Sequence, residues 1–293
     1  MIGRACLSGA NFFYRALLFA APFFVFACST APRGPVEIFD LRRMAESQME
    51  LANREADRGV YDAALLLLDD ARRIAVSADD PSLRVRTGLS RGNVLFALGR
   101  GEEAAFAWDA ALVEAEASGL RELAAVSRIH IARGALLSAG EGADIAALRE
   151  DIHRELARVK SDDFYTAFGW VTAGLADKTA GRYADAEASV KKALGLHEKG
   201  RYLEQAAYDW FLIASIRSLA GRYPAAREAL NSAIALDRRA ENSWGLATDW
   251  RALGDVFGKE KKAGEARAAY RRSAEIFRSL GMDDAAADAE SRG

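Results

Sequence analysis

From Ala45 to Leu280 apolar residues recur at spacings of three and four and are interrupted by glycine-centred turns. That rhythm predicts a run of amphipathic helices and no strands. Ala186, Val190, Ala193 and Leu194 form one such stripe. Trp170, Trp210 and Trp250 stand 40 residues apart, and Gly181-Arg182-Tyr183 and Gly221-Arg222-Tyr223 follow the first two at equal distance. A period of this length predicts a repeated two-helix unit whose apolar face only the next unit can bury.

Five copies share one frame. They are Leu51 with Ala64, Leu68 and Ala71; Gly92 with Ala104, Trp108 and Ala111; Trp170 with Gly174, Ala186, Val190 and Ala193; Trp210 with Ala226, Leu230 and Ala233; and Trp250 with Ala266 and Tyr270. A small residue lets the second helix approach the first closely, while the Trp and the large residue four positions after the Ala are expected to fill the space between neighbours. Residues 124–160 keep the length of a copy and offer Gly134, but the turn AGEGAD is irregular and the second-helix register is either Ala146 or Leu148.

The segment WRALGDVF, Trp250 to Phe257, with Ala266 and Tyr270, resembles the tetratricopeptide repeat (TPR). The resemblance implies an all-α, right-handed superhelical solenoid of about six helix-turn-helix repeats, near 45–78, 85–118, 124–160, 167–200, 207–240 and 247–280, in a domain over 41–280. The familiar repeat has about 34 residues and a closing Pro. Here the period is 40 and that Pro is missing, which resembles the longer TPR class of scaffold proteins. Leu83, Leu123, Phe164, Leu203 and Trp244 are placed to cover the lengthened helices, and 281–293 reads as a frayed partial cap.

Residues 1–27 read as a leader: Arg4 and Arg15, then 12 apolar residues from Ala16 to Ala27. A spanning helix needs about 20, so the run fits the h-region of a secretory signal. VFAC, Val25 to Cys28, resembles the lipobox of bacterial lipoproteins, which implies a signal peptide over 1–27, a lipidated Cys28 and a tether over 28–40. The competing reading is an ordinary secretory cut near Cys28 that leaves a free thiol. Loss of Cys6 with the leader leaves one cysteine, so no internal disulfide is expected. The implied location is the cell envelope, lipid-anchored and facing the periplasm. Ser29, in place of the Asp that retains some lipoproteins at the inner membrane, points to the outer membrane where that sorting rule applies.

Composition narrows the chemistry. Lys+Arg 40 against Asp+Glu 42 gives a net charge of −2, and the basic cluster Lys259, Lys261, Lys262, Arg271 and Arg272 is interleaved with Glu260 and Glu265, so no nucleic-acid partner is expected. His130, His153 and His197 make no H-E-x-x-H or C-x-x-C arrangement. Glu150 and His153 stand three apart on a helix, but a di-iron bundle needs two such pairs and two further carboxylates. No metal, cofactor or enzymatic activity is expected.

In the TPR family the first helix of each repeat lines a concave groove. Carried onto this chain, the groove positions are Met49 and Asn53, then Leu89, Asn93 and Phe96, then Phe168, Val171 and Leu175, then Tyr208, Phe211 and Ser215, and last Arg251 and Asp255. Met49 stands where carboxylate-clamp TPR domains carry Lys, so capture of a C-terminal carboxylate is not implied. These residues either pack between helices or leave an apolar strip that takes a peptide or acyl chain. Two functions are open: a membrane-anchored protein-interaction scaffold or assembly factor with an envelope protein or peptide partner, and a small-molecule or lipid-binding accessory lipoprotein, for instance for a solute transporter.

Overall fold

A computed structural model describes residues 40–140 and 143–293; the leader, Cys28 and the tether up to residue 39 lie outside the described residues. Helices pair along the chain: α1 (Asp40–Asp57) with α2 (Tyr61–Ser77), α3 (Pro81–Ala97) with α4 (Gly101–Ala117), α5 (Arg121–Leu137) with α6 (Ile145–Leu156), α7 (Asp163–Thr179) with α8 (Tyr183–Gly200), α9 (Leu203–Leu219) with α10 (Tyr223–Ala240), and α11 (Ser243–Lys259) with α12 (Ala263–Ser279). A last helix, α13 (Asp283–Ser291), follows. Each helix packs on the next, and first helices also touch across repeats, as α1 does with α3 and α9 with α11. The result is the all-α solenoid of six helix-turn-helix units that the period predicts.

The turns explain why the period is so even. Gly59, Gly99, Gly181 and Gly221 each take the left-handed conformation that only glycine adopts freely. The following N–H then reaches back to an otherwise unpaired helix carbonyl, as Val60 does to Glu55 at 2.9 Å and Arg100 to Leu95 at 2.9 Å. Lys261 fills the same role at φ 60 with a side chain that makes left-handed backbone costly. Lys261→Gly is therefore expected to stabilise the fold by about 0.5–1 kcal/mol, net of glycine's extra freedom in the unfolded chain. A urea midpoint that stays put or falls would refute this.

Inside each unit a bulky residue of the second helix seats against a small one on the first. Leu68, Trp108, Val190, Leu230 and Tyr270 are all buried, as are Ala64, Ala104, Ala186, Ala226 and Ala266 four positions earlier. A Cβ at Gly92, Gly174 or Gly254 would lie 2.2–2.5 Å from Trp108, Val190 or Tyr270 respectively, so these first-helix positions admit no side chain without repacking. The third repeat resolves to the Leu148 register: Ile152, four positions on, is fully buried, whereas Ala146 is exposed. Gly134 does not stand for Gly174 there. It sits two positions later and gives room to the six-membered ring of Trp108 from the preceding repeat, 2.5 Å from where its Cβ would be.

Two expectations change. Trp170, Trp210 and Trp250 are half-buried and do not fill the core; Lys192 caps the Trp170 ring at 3.8 Å and Arg272 the Trp250 ring at 4.7 Å. Residues 283–291 are an ordered helix, not a frayed end. Ala286 and Ala289 pack on Ala247, Ala274 and Phe277, and Arg278 pairs with Glu290 at 2.7 Å.

Candidate functional site: an aromatic cleft with a carboxyl end

The concave side of the solenoid holds an open cleft of about 600 Å³ that draws residues from α1 to α11. One part of it rests on an aromatic series. Phe96 and Trp108 lie 5.7 Å apart, Trp108 and His130 6.1 Å, and His130 and Phe168 stack at 4.1 Å. His130 is sealed among these rings, and burial pushes its imidazole down to about 3, so it is a neutral spacer at physiological pH. Arg133 lies over Phe168 at 5.4 Å, and Tyr208 stacks on Phe211 at 6.3 Å.

The other part is acidic. Asp57, at the end of α1, and Glu204, at the start of α9, both line the cleft; loss of surrounding water, then the Glu204 charge, raises Asp57 to about 7. Next to them lie Asp237 and Asp249, which are 3% and 2% exposed. Burial, then the charge of Asp237, raises Asp249 to about 9, and burial against the hydrogen bond from Asn242 brings Asp237 to about 6. Asn242 Nδ2 donates to Asp237 at 3.0 Å, while Oδ2 of Asp249 has no partner apart from the Asp237 carboxyl beside it.

The repeat explains how this pair arises. Forty residues earlier the same two positions hold His197 and Asp209, joined at 2.7 Å and buried; forty residues later they hold Phe277 and Ala289. The seam between consecutive repeats thus carries a histidine-carboxylate pair, then a carboxyl pair, then apolar packing.

Of the groove positions carried from the family, Asn93, Phe96, Phe168, Val171, Tyr208 and Phe211 line this cleft. Met49, Leu89 and Leu175 are buried in the helix packing, and Asn53 is exposed. Ser215 accepts from Lys178 at 3.3 Å, Arg251 pairs with Asp288 at 3.2 Å, and Asp255 accepts from the Tyr270 hydroxyl at 2.8 Å. Glu150 and His153 are not brought together around a shared point: His153 faces Asp177 at 3.7 Å. The carboxyl end escaped the sequence reading, although Asp209 and Asp249, each preceding a repeat Trp in the midst of apolar residues, were its visible trace.

No protein-family model and no curated protein matches the chain. Solved structures do. A Rap protein complexed with competence and sporulation factor is 16% identical with a TM-score of 0.59, over 85% of this chain and 73% of that one. The Rap conjugation gene regulator of plasmid pLS20 in complex with the Phr* peptide is 12% identical with a TM-score of 0.61, over 87% and 67%. The APC/C hetero-tetramer Cut9-Hcn1 is 16% identical with a TM-score of 0.56, over 86% of this chain and 47% of that chain. At such identities the likeness is one of fold: this chain is a TPR-type solenoid.

Proposed function

We propose that the chain is a non-enzymatic TPR lipoprotein, anchored through Cys28 and facing the periplasm from the outer membrane, that holds a segment of a partner protein in its concave cleft as a scaffold or assembly factor. The cleft carries the docking half of this reading: an open space of about 600 Å³, floored by rings from successive repeats, suits an extended segment. A fold-level neighbour solved with the Phr* peptide supports it. The leader and the VFAC motif support the anchoring half, and among the described residues no helix is long and apolar enough to cross a membrane.

The test of docking is crosslinking in intact cells and affinity purification of the wild type and a Tyr208→Asp, Phe211→Asp variant. These two rings are 40% exposed and half-buried, so charge there alters the cleft and spares the core. A protein captured by the wild type and lost from the variant is the expected result. The cleft volume also falls within the roughly 300–1,000 Å³ of small-molecule sites. No captured protein, with an apolar small molecule in the purified sample by mass spectrometry, would overturn docking in favour of the accessory role beside a transporter. Anchoring is tested separately: Cys28→Ser is expected to move the protein from the membrane to the soluble fraction, and unchanged fractionation would refute lipidation.

A further inference from the structure

The charged groups lining the cleft are unbalanced. Asp57, Glu204, Asp237 and Asp249 face it against a single guanidinium, Arg133, which lies over Phe168 at the aromatic part. None of the four carboxyls is in an ion pair among the described residues, although carboxylates elsewhere on the solenoid are widely paired: Glu187 alone meets Lys191, Arg217 and Arg222 at 2.6–2.9 Å. Asp249 adds a second, independent sign. Its side chain is almost wholly buried, it lines the cleft, and apart from the Asp237 carboxyl beside it no group of the chain partners its Oδ2. A buried carboxyl oxygen with no donor is costly to keep, and a cation with several N–H groups satisfies it and neutralises its neighbours together.

Resting on the docking reading above, we infer that the cleft takes a peptide segment carrying an arginine or lysine beside apolar side chains, with the cation seated among Asp57, Glu204, Asp237 and Asp249 and the apolar side chains on Phe96, Phe168 and Phe211. Charge complementarity selects this occupant. An acidic segment adds negative charge beside carboxyl groups that already repel one another, and a wholly apolar one leaves them unmatched in a confined space.

The test uses the full chain and three pentapeptide libraries that differ at one fixed position, arginine, citrulline or glutamate, with the other four positions drawn from Ala, Val, Leu, Phe and Tyr. Retained peptides are counted by mass spectrometry at pH 8. The arginine library should be retained at least about tenfold over the citrulline library, the difference expected of a charge-assisted hydrogen bond. In Asp57→Asn, Glu204→Gln, whose amides keep the size of the acids, the two libraries should become equal. Should that variant not fold, the wild type decides alone by its ratio of arginine to citrulline retention. Equal retention of arginine and citrulline by the wild type would overturn the inference while leaving peptide docking intact. Retention of no library would overturn both.

Discussion

Replacing Trp108 by alanine is expected to cost about 3–5 kcal/mol, the range for removing a large aromatic side chain from a core. Trp108 is 5% exposed, and its ring is wedged where Gly92 and Gly134 carry no Cβ. Its Nε1 donates to the Leu89 carbonyl at 3.3 Å, and its faces meet Phe96 and His130. The truncation would thus open a space shared by α3, α4 and α5 and remove the second donor to the Leu89 carbonyl. Gly134→Ala supplies the complementary perturbation, since its Cβ would fall 2.5 Å from the ring. Alone it should destabilise; in the Trp108→Ala background it should be tolerated or favourable, a coupling that marks direct contact. Urea unfolding followed by circular dichroism reads both. A loss under about 1 kcal/mol for Trp108→Ala would mean that the niche is not closed. Trp210→Ala should cost less than Trp108→Ala, because its ring is only half-buried.

The second large effect is on pH dependence. Asp249 is raised from 3.8 to about 9 by burial and by Asp237, so between these values the folded chain holds a proton that the unfolded chain has released. Folding is then favoured at the acidic side of that window, and stability falls as pH rises towards 9. Asp249→Asn keeps the shape of the protonated acid and removes the ionisation, so its stability should be flatter, exceeding the wild type at pH 9 by on the order of 2 kcal/mol more than it does at pH 7. The chosen interval avoids two other groups. Glu187, despite burial acting against its charge, is held down to about 2 by Arg217, Lys191 and Arg222, and buried His130 releases its proton by about 3. Both act below neutral pH. Denaturation curves of the two proteins that fall in parallel from pH 7 to 9 would show that the carboxyl pair is not under this strain.

The fold was legible because its causes are local. A small residue at Ala104 and a large one at Trp108, a glycine at Gly92, and a left-handed turn at Gly99 all act within one repeat and return every 40 residues. The third repeat was legible only in length. Gly134 looked like the frame glycine, yet it is small for the sake of Trp108 in another repeat, and a frame built on internal spacing has no means of distinguishing those causes. The aromatic part of the cleft could be read for the same reason as the fold, since Phe96, Phe168 and Phe211 sit on first helices facing inward. The carboxyl end could not. Asp57 and Glu204 belong to the first and fifth repeats, and their approach depends on how much each repeat turns relative to the last, a quantity accumulated over the whole solenoid. Leu89 and Leu175 went into helix packing because the same inward-facing pattern serves both burial and display.

The shortness of α6 has a mechanical consequence. It spans 12 residues where the other second helices span 17 or 18, so the third repeat is the thinnest section of a rod built from nearly equal discs. In such a rod bending concentrates at the thin section. The rings of Trp108, His130 and Phe168, one each from α4, α5 and α7, pass through it like a rivet, joining the two thicker halves on the inner side while the outer side stays compliant. An occupant gripping Phe96 on one side and Phe168 and Phe211 on the other would span this section as a brace, coupling the curvature of the rod to whether its cleft is filled.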